Sequence, residues 1–377
     1  MRLEAPIPRA VLAAIRAPFL DVGAEVLDAP TVQPLGQLLD LAGEALRERL
    51  FVLQSEGGEE ACLRPDFTIP AVRAYVGSDK DAGRYLYEGH AFRVAPARTD
   101  RAEEFLQIGL EVFESGDTAQ QDAEITDIAW RAASAGGRRD LSLVFGDVAL
   151  FSAFTESLGL SMALRSRLER SFSSPMRLRA ELSARDGRET PKVADRLAAL
   201  LGDISESEAA ETLEEIWRLS GIQAVGGRSA TEIVHRLRER AALAASPRLT
   251  RAEAEHIERF LNVSDRPEAA LRAIGKLDGG DGARLSRELR AWEIRLDALA
   301  AKGLPSHAMT LSAAFGRAFG YYDGALFEIR SSALGDDQPV AAGGRYDGLP
   351  ARLGARSACG AVGCMVRPGR AWPGAAS

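Results

Sequence analysis

The stretch over residues 84–114, RYLYEGHAFRVAPARTDRAEEFLQIGLEVFE, decides the fold. It reads as strand, charged loop, strand. In its second half Leu106, Ile108, Leu110 and Val112 alternate with Phe105, Gln107, Gly109, Glu111 and Phe113. Successive strand side chains point to opposite faces, so one face is a continuous aliphatic surface suited to helix packing. The other face carries an amide, a bare glycine and a carboxylate in line. A carboxylate among apolar neighbours costs free energy unless it is paired, and polar groups around a glycine gap suit the floor of a small-ligand pocket. The first half repeats the theme, with Tyr85, Tyr87, Gly89, Ala91 and Arg93 sharing a face. A solvated face of an antiparallel sheet would carry the same pattern without any ligand.

The chain around this pair has 377 residues, enough for two domains or one elaborated domain. Hydrophobic residues make up 46% and charged residues 27%, the profile of a soluble globular protein. No apolar run is long enough to span a membrane, and the first residues, MRLEAPIPRA, lack an apolar signal core. The three cysteines, Cys62, Cys359 and Cys364, are an odd count that fits a reducing compartment, so a cytoplasmic location is expected. A net charge of -7 counts against a large phosphate-binding surface, and nucleic acid is not an expected partner. Four scattered histidines and a lone Cys359–Cys364 spacing predict no metal site, and no phosphate loop of the GxxxxGK[ST] type occurs.

Apolar spacing predicts helices at 9–22, with Pro18 as a kink or stop, and at 35–50, 68–76, 119–135 and 149–158. Short strands are expected at 24–27, 51–54, 62–64 and 141–145. From about 165 to 301 the composition shifts to Ala, Leu, Arg and Glu. Ser205 with Glu208, and Thr250 with Glu253, are capping-box patterns, so this segment reads as an all-helical insertion. Strand signals return at 311–315, within 316–330, at 340–342 and at 361–366. Between the last two, AAGGRYDGL reads as a glycine-rich turn into a helix. The expected organisation is 1–164 and 304–377 as two parts of one domain, with 165–303 inserted between them.

Four segments in order carry a resemblance. The 84–114 segment resembles motif 2 of class II aminoacyl-tRNA synthetases of the histidyl type. LRPDFTIPAVRA (63–74), GRAFGYYDGALFEIR (316–330) and VAAGGRYDGL (340–349) are similar to that family's LRPE-x-T, RGLDYY-x-G-x-x-FE and AGGRYDG elements. Four ordered matches are far more specific than any one of them. The resemblance implies an α+β fold: a class II synthetase-like antiparallel sheet with flanking helices, usually as a homodimer. It also implies a histidine-binding site. Asp66, Thr68 and Gln107 would hold the α-amino group, Glu111 and Tyr322 would read the imidazole beside Tyr321, and Arg93 and Arg317 would face the carboxylate. Acceptors facing an ammonium and guanidinium facing a carboxylate make chemical sense. Taken apart from the family, Asp66 could simply cap the following helix.

Three departures separate the chain from active synthetases. Ala95 stands where motif 2 has a glutamate that seats adenine, and Glu103 stands where a phosphate-facing arginine is usual. Arg370 can be aligned with the ATP-gripping arginine of motif 3, but Pro368 and Pro373 are expected to deny it a supporting helix. The anticodon-binding domain of histidyl-tRNA synthetases is expected to be absent. Gly320 also replaces the aspartate before the tyrosine pair.

A retained amino-acid pocket with an eroded ATP site resembles the regulatory-subunit family of ATP phosphoribosyltransferases. That resemblance implies no catalytic residues, no cofactor and no activity of its own. It implies a hetero-octamer with a short-form catalytic subunit in the first step of L-histidine biosynthesis, with L-histidine as feedback effector. The loop 95–103 is the expected moving element. Two alternatives stand beside it: a truncated synthetase-like enzyme that activates histidine with ATP, and a nucleic-acid-binding module using the arginine-rich insertion.

Overall fold

The computed structural model describes residues 3–374 apart from 55–59, 79, 98, 100, 173, 184–203, 221–228, 232, 236, 239–247, 278–281 and 317–319. The chain opens with α1 (Arg9–Leu20), which buries Ile15, Pro18 and Phe19 and contains its proline without ending at it. A two-residue strand, β1 (Glu25–Val26), leads to a small three-stranded sheet. That sheet comprises β2 (Val32–Pro34), β3 (Val52–Gln54) and β4 (Glu60–Leu63) in the order β2-β4-β3, with α2 (Leu35–Ala42) following β2. The helix expected over 35–50 is therefore shorter, and its second half is a 3-10 helix from Glu44 to Arg49.

After α3 (Thr68–Gly77) come β5 (Gly83–Phe92) and β6 (Glu104–Phe113), the strand pair predicted from the sequence. They run antiparallel in an unbroken register that sets Tyr85 opposite Glu111, Tyr87 opposite Gly109 and Gly89 opposite Gln107. The two polar stripes read from the sequence therefore lie side by side. The aliphatic stripe of Ile108, Leu110 and Val112 joins Ala123, Ile125, Ile128, Ala129 and Ala132 of α4 (Thr118–Ala135) in the main core. Alanines on that helix face let it approach the sheet closely, and each buried isoleucine contributes about 1.5–3 kcal/mol. Asp117 caps the helix, its carboxylate accepting from Ala119 N at 2.9 Å. Gly137, at φ 101°, takes the left-handed conformation beyond its end.

The next strand, β7 (Leu141–Asp147), is followed by α5 (Val148–Ser157), whose N-cap is Asp147. α6 (Met162–Phe172) leads into the segment expected as an insertion, in which α7 (Pro175–Ser183) and the helices Glu206–Leu219, Arg251–Leu261, Pro267–Gly275 and Ala283–Ala301 are described. Both capping boxes are present, with Ser205 and Thr250 each accepting the N3 amide while Glu208 and Glu253 reach back. The segment is not wholly helical, as the sequence suggested. Ser264 and Asp265 form β8, an edge strand paired with β9 (Met309–Ser312). Two residues leave no alternation from which a strand could be read.

The remaining strands are β10 (Ala325–Ser331), β11 (Ala341–Arg345) and β12 (Ala361–Val366). The large sheet runs β1-β5-β6-β12-β11-β10-β7-β9-β8, with only β1–β5 and β7–β9 parallel. β11 corrects the expectation of a turn at AAGGR. All five residues are buried between β10 and β12. Its glycines serve packing, because a Cβ on Gly343 would lie 2.4 Å from the Gly363 carbonyl oxygen and 2.7 Å from the Phe327 ring. Among the described residues no helix is long and apolar enough to cross a membrane.

Candidate functional site

Glu111 is the centre of the polar face. The residue is 2% exposed, and three hydroxyls converge on its carboxyl. Thr68 donates to Oε1 at 2.8 Å, Tyr87 to Oε1 at 3.4 Å, and Tyr346 to Oε2. Burial raises its pKa to about 8, against the hydrogen bonds from Tyr346 and Thr68, which lower it. Burial also raises Tyr87, Tyr321 and Tyr346 well above the ordinary phenol range, so all three stay protonated and able to donate.

The backbone makes room for this cluster. Gly363 faces Glu111 across the β6–β12 ladder, and Gly109 faces Tyr87. A Cβ on Gly109 would fall 2.2 Å from the Tyr87 hydroxyl. The glycine gap predicted as pocket floor is thus filled by the protein's own phenol. Tyr87 is held there by Phe67, whose ring stacks on it at 4.4 Å and 5°. Arg64 covers Phe67 at 4.3 Å from the ring centroid.

Asp66 does not cap α3. The N-cap is Phe67, with no side-chain cap bond, and Asp66 instead accepts from the Tyr321 hydroxyl at 3.4 Å. Tyr321 lies 4.8 Å from Tyr322 and 5.8 Å from Tyr346, ring centre to ring centre, so both tyrosines wall the Glu111 cluster. Gln107 sits four residues from Glu111 on the same face and is wholly buried. Neither end of its amide has a hydrogen-bond partner among the described residues. A buried amide of this kind costs about 1–3 kcal/mol, and it marks a place where a ligand's polar group would be rewarded.

Arg93 lies apart from this cluster. Its Nε donates to the Pro65 carbonyl at 2.8 Å, and its guanidinium lies 5.5 Å from the Phe105 ring. It lines a neighbouring cleft of about 220 Å³ with Arg101, Arg367, Arg370, Glu328 and Asp337. Arg317 falls outside the described residues, as do Arg98 and Asp100 within the loop 95–103.

The cleft corrects one expectation. Pro368 does not prevent a helix; it opens one, a single turn from Pro368 to Ala371 with the proline in the first turn, where its missing N–H costs nothing. That turn holds Arg370 in the cleft, where Nη1 donates to the Pro339 carbonyl at 3.0 Å. Burial, then the like charge of Arg367, lowers the Arg370 pKa to about 8. Crowded positive charge of this kind favours anions.

The sequence pointed to Asp66, Thr68, Gln107, Glu111, Tyr321 and Tyr322, and the fold brings their elements together. It did not point to Tyr346 or Gly363. Tyr346 belongs to a segment read as a turn, and the need for Gly363 exists only across the ladder. Tyr87 was placed on the right face without its contact to Glu111.

Fold and site together define a histidyl-tRNA-synthetase-like class II protein, and the histidyl-tRNA synthetase family model matches residues 4–239 and 227–367. Among solved structures, an ATP phosphoribosyltransferase regulatory subunit/histidyl-tRNA synthetase from Bacillus halodurans shares the fold at TM-score 0.65 and 19% identity, covering 99% of this chain and 82% of that one. The histidyl-tRNA synthetase of a Nostoc species follows at TM-score 0.60 and 16% identity, covering 96% and 69%. Curated relatives are more specific. The ATP phosphoribosyltransferase regulatory subunit of Mesorhizobium japonicum is 36% identical over 95% of each chain, and that of Brucella anthropi is 34% identical over 91% of each. The chain belongs to the ATP phosphoribosyltransferase regulatory subunit family.

Proposed function

We propose that this chain is a non-catalytic regulatory subunit that binds L-histidine at the Glu111 site. In that role it assembles with a short-form ATP phosphoribosyltransferase catalytic subunit as a hetero-octamer and conveys feedback inhibition. Asp66, Thr68, Gln107, Glu111, Tyr321 and Tyr322 are the expected amino-acid pocket; Arg93, which lines the adjoining cleft, and Arg317 are the proposed partners of the ligand's carboxylate. The observation that carries the proposal is the buried pair of Glu111, ringed by hydroxyl donors, and Gln107, with both amide ends unmet among the described residues. An amino-acid ligand supplies an ammonium and ring N–H groups for such acceptors. Histidine can shift the assembly only through different affinities for its active and inhibited states. A homodimer through the synthetase-like core and a cytoplasmic location belong to the same proposal.

The test is co-purification with a short-form catalytic subunit. Phosphoribosyl transfer should require both chains, and histidine should suppress it. Activity of the catalytic chain alone at the same rate would remove the regulatory role.

The arginine cleft gives the rival enzymatic function a specific footing, since Arg93 and Arg370 still line one cavity. Ala95 and Glu103 weigh against a working nucleotide site there, because the first removes a contact and the second adds repulsion. Histidine-dependent exchange of pyrophosphate into ATP separates the two functions: no exchange is expected.

A further inference from the structure

The long helix Ala283–Ala301 closes the inserted segment, and its buried Arg295 reaches the sheet domain through one carboxylate. Asp122, on α4, accepts Arg295 Nε at 2.9 Å on Oδ2 and Arg345 Nε at 2.8 Å on Oδ1. All three side chains are buried. Arg295 also lies 4.6 Å from the Trp292 ring, and Trp292 Nε1 donates to Asp147 Oδ2 at 2.7 Å.

The other arm of the clamp touches the pocket twice. Arg345 precedes Tyr346, whose hydroxyl holds Glu111. Its carbonyl accepts the amides of Asp323 at 3.2 Å and Gly324 at 3.4 Å, so it ties down the turn that carries Tyr321 and Tyr322. A Cβ on Gly324 would press on the Arg345 side chain at 3.0 Å, which shows how closely that turn is seated. Arg345 is held as well by Asp347 Oδ1 at 2.9 Å and Gln121 Oε1 at 3.0 Å, but Asp122 is the carboxylate it shares with Arg295, and a buried carboxylate gripped by two buried guanidiniums has few alternative arrangements.

We propose that Asp122 is a positioning residue for the Glu111 pocket. It fixes Arg345, and with it Tyr346 and the turn bearing Tyr321 and Tyr322, to the Ala283–Ala301 helix, so the inserted segment and the pocket wall move as one body. The affinity arm of its test rests on histidine being the pocket's ligand; the exchange arm does not.

The experiment compares the full chain with Asp122→Asn, which keeps the shape but turns an amide N–H toward one guanidinium. Amide hydrogen exchange without ligand should speed up about tenfold in the Ala283–Ala301 helix and at Asp323 and Gly324 together. Titration calorimetry should show the histidine Kd rising about tenfold. Thr250→Ala, which weakens a helix cap away from this network, serves as the control: it should lower the melting temperature while leaving exchange at Asp323 and Gly324 and the Kd unchanged. Arg295→Lys is the milder second variant, with the same paired loosening at smaller amplitude. Loosening of the helix alone in either variant overturns the proposal, as does an unchanged Kd in Asp122→Asn. If the parent gives no heat with histidine, the ligand assignment fails, and the exchange data still decide the clamp.

Discussion

Gly363 sits directly across the β6–β12 ladder from Glu111, and a Cβ on it would fall 1.6 Å from the Glu111 carboxylate. The smallest residue on one strand is the space in which the acidic side chain of its neighbour lies. Gly363→Ala should therefore push Glu111 off Thr68 and Tyr346, abolish histidine binding and cost roughly 1–3 kcal/mol of stability by overpacking. Calorimetric titration and urea unfolding check both effects. Parent-like binding would mean that the Glu111 position is not needed for the ligand.

Gln107→Leu should separate stability from binding. The wholly buried amide has no hydrogen-bond partner at either end among the described residues. An apolar side chain of similar volume removes a desolvation cost of about 1–3 kcal/mol. The variant should melt at a higher temperature yet bind histidine at least tenfold more weakly, the trade expected of a site residue. A variant that is both more stable and fully competent in binding would place the ligand elsewhere.

The protonation of Glu111 should leave a mark on stability. Burial lifts its pKa from 4.5 to about 8 in the folded chain. Between those values the native state keeps a proton that the unfolded state releases. This contribution is present in full below the unfolded value and is lost as pH rises through the folded one. Thermal stability should thus decline from about pH 5 to about pH 8, and Glu111→Gln should decline less steeply over that window. Parallel curves for parent and variant would contradict the raised pKa.

The cap of the Arg251–Leu261 helix offers a test remote from the pocket. Thr250 accepts the Glu253 amide at 3.3 Å, and Glu253 accepts the Thr250 amide at 2.7 Å. Ile257 and Phe260 bury the helix in the main core. Thr250→Ala should cost about 1 kcal/mol, read by urea unfolding, with histidine binding intact.

Much of this arrangement is legible locally. Strand alternation alone put Gln107 and Glu111 on one face, and the structure agrees because side-chain direction in a strand is set by the backbone two residues at a time. Capping boxes are equally local, since each closes within four consecutive residues. β11 is different. Paired glycines usually signal a turn, and only the close approach of Phe327 and the Gly363 carbonyl reveals why they lie mid-sheet. Pro368 was misjudged for a related reason: its effect depends on whether a helix starts at it or runs through it.

By itself, then, the sequence determined the central strand pair, the helix that follows it, the capped helices of the segment expected as an insertion and the polar stripe proposed as the site. Tertiary structure alone decided that Tyr346 completes the shell of Glu111, that Gly363 yields it space, and that Asp122 joins arginines 173 and 223 positions away. Alternation and capping are properties of neighbouring residues, whereas a shared carboxylate or a missing Cβ acquires meaning only when distant strands and helices meet.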